Sequence, residues 1–111
     1  MKIIEKLQND LQGEPRQLFD LLLSKEGRFV PLREIVKELY NENVDWDITK
    51  YEERLKRSIR NIVEVLRKNK LDKLIELRFS RSFLNKNIYI PEVHYDIFGS
   101  IMVYVHPRLR R

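Results

Sequence analysis

Residues 49–70 read TKYEERLKRSIRNIVEVLRKNK, and this stretch decides how the rest of the chain is understood. Leu55, Ile59, Ile62, Val63 and Leu66 recur at helical spacing and form one apolar stripe. At about 100° per residue the opposite face carries Lys50, Glu53, Arg57, Arg60, Asn61, Glu64 and Lys68. The spacing predicts one amphipathic helix of about 30 Å, held to a core by one side and open on the other. Thr49 with Glu52 three residues on fits a capping box, and Asn69-Lys70 a C-terminal stop.

Working back toward the N-terminus, residues 41–48 (NENVDWDI) have no helical period and hold the chain's one tryptophan, Trp46. They read as a loop, with Trp46 covering the edge of the core. The competing reading makes Asn43–Asp47 an anchor for a protein partner, such as a component of the transcription machinery. Leu32, Ile35, Val36, Leu39 and Tyr40 predict a helix over 32–40 opened by Pro31. Arg28-Phe29-Val30 fits a small strand closing a sheet edge. Leu18, Phe19, Leu22 and Leu23 predict a helix over 16–25, stopped at Glu26-Gly27. Ile3, Ile4, Leu7 and Leu11 share one face of a short helix over 2–12, ended by Gly13 and expected to pack on the chain's own core.

Toward the C-terminus, residues 73–80 (KLIELRFS) alternate, with Ile75, Leu77 and Phe79 on one side, which is strand period. Residues 87–91 (NIYIP) are the expected partner strand, joined by a turn holding Arg81, Asn85 and Lys86. A hairpin in this position is a wing. Residues 95–98 and 101–105 suggest a second hairpin. Both faces of IMVYV (101–105) are apolar, which implies burial, with a subunit interface of a homodimer favoured. His106-Pro-Arg-Leu-Arg-Arg reads as a basic mobile tail.

At 111 residues, 42% of them apolar, there is room for one folded domain and one core. The expected division is a helix over 1–13, a core over 15–91 and an extension over 92–111. No run of eighteen apolar residues predicts a membrane span, no secretory signal is evident, and cysteine is absent. A cytoplasmic location is the expectation. The net charge of +5 is uneven: residues 1–49 sum to −3 and residues 50–111 to +8. A basic half facing an acidic half points to a polyanion-binding surface.

Enzymatic chemistry finds little support. His94 and His106 have no metal-ligand spacing, and the serines lack a G-x-S-x-G context. The three glycines are scattered, so no phosphate-cradling loop is present. No enzyme, cofactor or metal is expected.

The order helix, short strand, helix, loop, long basic helix, hairpin is an α+β winged helix-turn-helix: a three-helix core with a β-hairpin wing, here with an N-terminal helix and a C-terminal β extension. Within that class, residues 18–70 resemble the DNA-binding output domain of response regulators of the OmpR/PhoB class. LLSKEGRFVPLREIVKELY (22–40) is similar to that family's apolar helix, "GR-V", then "REELL--LW". RSIRNIVEVLRK (57–68) is similar to its recognition helix, Arg-Thr-Val, spacer, Leu-Arg-Lys. The family's N-terminal four-stranded sheet and its "G-GY" strand ending have no counterpart here. The resemblance implies double-stranded DNA binding in transcription regulation, with the long helix in the major groove.

On that reading Arg57 and Arg60 suit guanine edges and Asn61 suits adenine. Lys50, Arg54, Lys56, Arg67 and Lys68 suit phosphates. Arg81, Asn85 and Lys86 suit the backbone or minor groove. Glu64 suits either a bond from cytosine N4 or, more in keeping with its spacing, an ion pair with Arg60 or Lys68. Glu53 with Arg57 makes the same kind of pair. Two other readings stay open, a winged helix used for protein interaction and binding to RNA.

Overall fold

The computed structural model describes residues 2–40, 49–79 and 100–110. These form an α+β fold of four helices and a three-stranded antiparallel sheet. In chain order they are α1 (Lys2–Asp10), α2 (Glu14–Ser24), β1 (Val30–Pro31), α3 (Leu32–Tyr40), α4 (Thr49–Lys68), β2 (Ile75–Phe79) and β3 (Ser100–Val105). A 3-10 turn, Pro107–Arg110, follows.

The helices lie where apolar periodicity puts them. α1 buries Leu7, Leu11 just beyond its end is buried too, and the helix packs on α2 and α4, so its expected place on the chain's own core holds. Gly13, with φ of 67°, turns the chain into α2, and Pro15 sits in that helix's first turn, where no backbone donor is needed. α2 buries Leu18, Phe19 and Leu22 at the centre of the molecule, against α3, α4 and β3. α3 buries Leu32, Ile35 and Val36, with Leu39 and Tyr40 half-buried. Pro31 stands immediately before α3 and also belongs to β1. It pairs with Ser100 on the edge strand β1, where a missing N–H costs least.

α4 seats Leu55, Ile59, Ile62 and Leu66 in the core, adds Tyr51 and leaves Val63 at the margin. Its end is a Schellman turn: the Lys70 N–H donates to the Arg67 carbonyl at 3.0 Å and the Leu71 N–H to the Leu66 carbonyl at 2.8 Å. Lys70 takes φ of 60°, a conformation that favours glycine.

The sheet corrects one expectation and leaves another outside the described residues. Its order is β1-β3-β2, so the strand latest in sequence lies in the middle. Residues 87–91, expected beside β2, lie outside the described residues; the strand paired with β2 is β3, with Ile75 opposite Val105, Leu77 opposite Val103 and Phe79 opposite Ile101. Residues 101–105 are therefore the central strand of the described sheet, buried within the fold rather than in a subunit interface. Ile101, Val103 and Val105 face the helices and join the core, while Met102, pointing the other way, is also buried. Buried side chains on both faces of β3 account for the lack of alternation in its sequence.

β1 reaches only the first two residues of β3. Beyond it the Gly27 N–H donates to the Val103 carbonyl at 3.0 Å, and the Glu26 carboxylate accepts from the Val105 N–H at 3.1 Å. These two bonds continue the ladder where the strand has ended. The tail expected to be mobile is fastened as well. The His106 N–H donates to the Leu74 carbonyl at 2.7 Å, and Leu109 is buried against the core.

Candidate nucleic-acid interface

The outer face of α4 follows from its inner one. Leu55, Ile59, Ile62 and Leu66 fix the rotation of the helix against α2 and the sheet. Glu53, Arg57, Arg60, Asn61, Glu64, Arg67 and Lys68 are then turned to solvent. The structure thus brings together six of the candidates read from the sequence: Arg57, Arg60, Asn61, Glu64, Arg67 and Lys68.

The ion pairs expected along this face are not formed. Among the described residues, Glu53 makes no ion pair with Arg57, and Glu64 makes none with Arg60 or Lys68. Exposed pairs of this kind gain only a few tenths of a kcal/mol, roughly 0.3–0.5, against the side-chain entropy of holding two long chains together. The four cations Arg57, Arg60, Arg67 and Lys68 therefore keep their donors available, as Glu64 keeps its acceptors.

Beside this crest runs an open groove, with the buried Ile59 and half-buried Val63 between Arg57, Arg60, Asn61, Glu64 and Arg67. A second depression shares Val63 and Arg67 and continues to Ile75, Glu76 and Leu77 on β2. Arg67 is the one cation of this second depression, set against Asp72 and Glu76, so the cationic face ends with the helix.

Three phosphate candidates stand differently. Arg54 is committed within the fold: it pairs with Glu14 at the start of α2 and lies over the Tyr40 ring, 4.5 Å from its centroid. Tyr40 stacks on the buried Tyr51 at 4.7 Å and donates its hydroxyl to Glu14 at 3.2 Å. Burial, first, and then the charge and hydrogen bond of Glu14 push the Tyr40 phenol up to about 12, although the Arg54 charge opposes this. Lys56 is half-buried and engaged in an interaction of its own. The side chain of Lys50 lies outside the described residues, as do Arg81, Asn85 and Lys86 of the expected turn and Asn43–Asp47 with Trp46.

The Glu14–Tyr40–Tyr51–Arg54 cluster was not legible in the sequence. Its members come from three helices, and the signal available was only Tyr51 falling one helical turn before Leu55 on the same stripe. Of the two histidines, His94 lies outside the described residues, and His106 accepts the Arg108 N–H on Nδ1 at 3.1 Å, a local turn contact. Among the described residues no cluster of His, Asp or Glu could hold a metal ion, and no helix is long and apolar enough to cross a membrane.

Comparison with known protein families, curated proteins and solved structures returns no match to this chain.

Proposed function

We propose that this protein is a winged-helix double-stranded DNA-binding protein that regulates transcription, with α4 as the helix that enters the major groove. The observation that carries the reading is the crest of α4, where Arg57, Arg60, Arg67 and Lys68 are exposed and free of ion pairs among the described residues. A duplex presents closely spaced phosphates flanking a groove wide enough for a helix, and such a face supplies both the electrostatic attraction and the base-directed forks.

The topology supports the same reading. Helix, short strand, two helices, strand and returning strand, with the returning strand central among the described strands, is an order that a winged unit built on α2, α3 and α4 would have. The resemblance of residues 18–70 to response-regulator output domains points the same way. Arg57 and Arg60 read guanine edges, Asn61 an adenine edge, and Arg67 and Lys68 hold phosphates.

Fluorescence anisotropy with a labelled duplex of random sequence, titrated at rising salt, tests this. Binding is expected, with affinity falling steeply and log-linearly as salt increases. A protein that binds no duplex at low salt is not a DNA-binding protein, and the reading is then wrong.

A further inference from the structure

We infer that Glu64 is the specificity-determining residue of the α4 face: its carboxylate accepts from the N4 amino group of a cytosine and disfavours any duplex that offers no donor at that position. This rests on the DNA-binding reading above.

Position is the first argument. At about 100° per residue, Arg57 and Glu64 lie almost diametrically opposite the mean direction of the buried Leu55, Ile59, Ile62 and Leu66. They are the outermost points of α4 and the first to enter any groove the helix approaches. Availability is the second. Arg60 and Lys68 stand one turn away on either side, at ion-pair spacing, yet Glu64 is exposed and pairs with neither.

Chemistry is the third argument. An ionised carboxylate only accepts hydrogen bonds. In the major groove guanine presents two acceptors and thymine an acceptor beside a methyl group. Adenine presents an amino donor, but next to the N7 acceptor. Cytosine's amino group has guanine O6 on one side but only its own ring C–H on the other, whereas adenine's lies between two acceptors, its N7 and thymine O4. A carboxylate at the crest is repelled by a polyanion everywhere except where it finds that donor, so it weakens indiscriminate binding as well as selecting a base.

Spacing gives the inference a geometric signature. Seven residues separate Arg57 from Glu64, about 10.5 Å along the helix axis. At about 3.4 Å per step, that is about three base pairs. A guanine column read by Arg57 and a cytosine column read by Glu64 should therefore stand about three steps apart.

The test is selection from a pool of duplexes with a randomised centre, using the full chain, Glu64→Gln and Arg57→Ala. The wild-type protein is expected to enrich both columns. Arg57→Ala loses the guanine alone. Glu64→Gln replaces cytosine by adenine, whose N6 and N7 match an amide, and binds the unselected pool about fivefold tighter because one negative charge has left the crest. Glu64 is exposed, so unchanged thermal unfolding is expected of the glutamine variant. Retention of the cytosine column by Glu64→Gln, or unchanged affinity for the unselected pool, overturns the inference while leaving duplex binding intact. Failure of the wild-type chain to bind the pool at all overturns the proposed function itself.

Discussion

Arg54 lies over the ring of Tyr40 at 4.5 Å while pairing with Glu14, forty positions earlier in the chain. One guanidinium thereby ties the start of α4 to the end of α3 and the start of α2. Arg57, less than one turn further along, touches no described partner. Two arginines that look alike in sequence thus have separable roles. Arg54→Ala is expected to lower stability by about 1 kcal/mol, from the lost cation–π contact and ion pair, without changing which duplexes are preferred. Urea denaturation and a duplex-binding series on the same variant check both halves.

Arg57→Ala and Arg60→Ala should behave in the opposite way. Each is expected to leave the unfolding midpoint in place and to cost about 1–3 kcal/mol on a selected duplex, with sequence preference relaxed at one position. Arg67→Ala should weaken binding to all duplexes alike and reduce the salt slope by about one. A uniform loss from Arg57→Ala, with no change in preference, would assign it to the phosphates instead.

Tyr40 makes the fold sensitive to alkali. Its folded value, about 12, lies above the ordinary 10.0, so the neutral phenol is the form the fold favours. The associated stability is fully present below about pH 10 and is lost as pH rises toward about 12. Ultraviolet titration of tyrosinate should show a late-ionising step, belonging to Tyr40, that is missing from Tyr40→Phe. If the variant retains the late step, the assignment to Tyr40 is incorrect.

Lys70 occupies a left-handed backbone conformation in the Schellman turn, with φ of 60°. Glycine adopts it without the Cβ penalty. Lys70→Gly is expected to stabilise the protein by about 0.5–1 kcal/mol and to raise the thermal midpoint by a few degrees. A lower midpoint would mean that the lysine side chain contributes more than its backbone costs.

Leu109 converts a basic C-terminal run into a docked turn. Leu109→Ala is expected to destabilise by about 2 kcal/mol, at the low end for a buried leucine because the site lies at the rim of the core. Equilibrium denaturation of this variant beside Arg108→Ala, whose side chain is exposed, separates the anchor from its charged neighbour.

The helices were legible because each carries a stripe that only one period explains. Leu18, Phe19 and Leu22, or Leu55, Ile59, Ile62 and Leu66, leave no other face to bury. β2 was legible for a similar reason, since Ile75, Leu77 and Phe79 alternate with polar neighbours. Ile101 to Val105 were harder. Apolar residues on both faces declare burial without saying beneath what, and the partners of β3 lie far off in sequence at Val30 and Ile75–Phe79. The crest of α4 was readable as a set of residues but not as a set of free ones. The commitment of Arg54 depended on Glu14 and Tyr40, and the release of Glu64 on pairs that spacing permits and the structure does not make.

The central place of β3 has a consequence for how the molecule is assembled. Among the described residues β1 and β2 do not pair with each other; each pairs with the strand between them. A chain cut between Phe79 and Ser100 would carry all four described helices and, between β1 and β2, a slot one strand wide. The missing piece would be a short peptide whose apolar side chains and backbone donors already match that slot. β3 joins two edges that do not meet without it, and a synthetic peptide spanning 100–110 could be asked to fill the slot from outside.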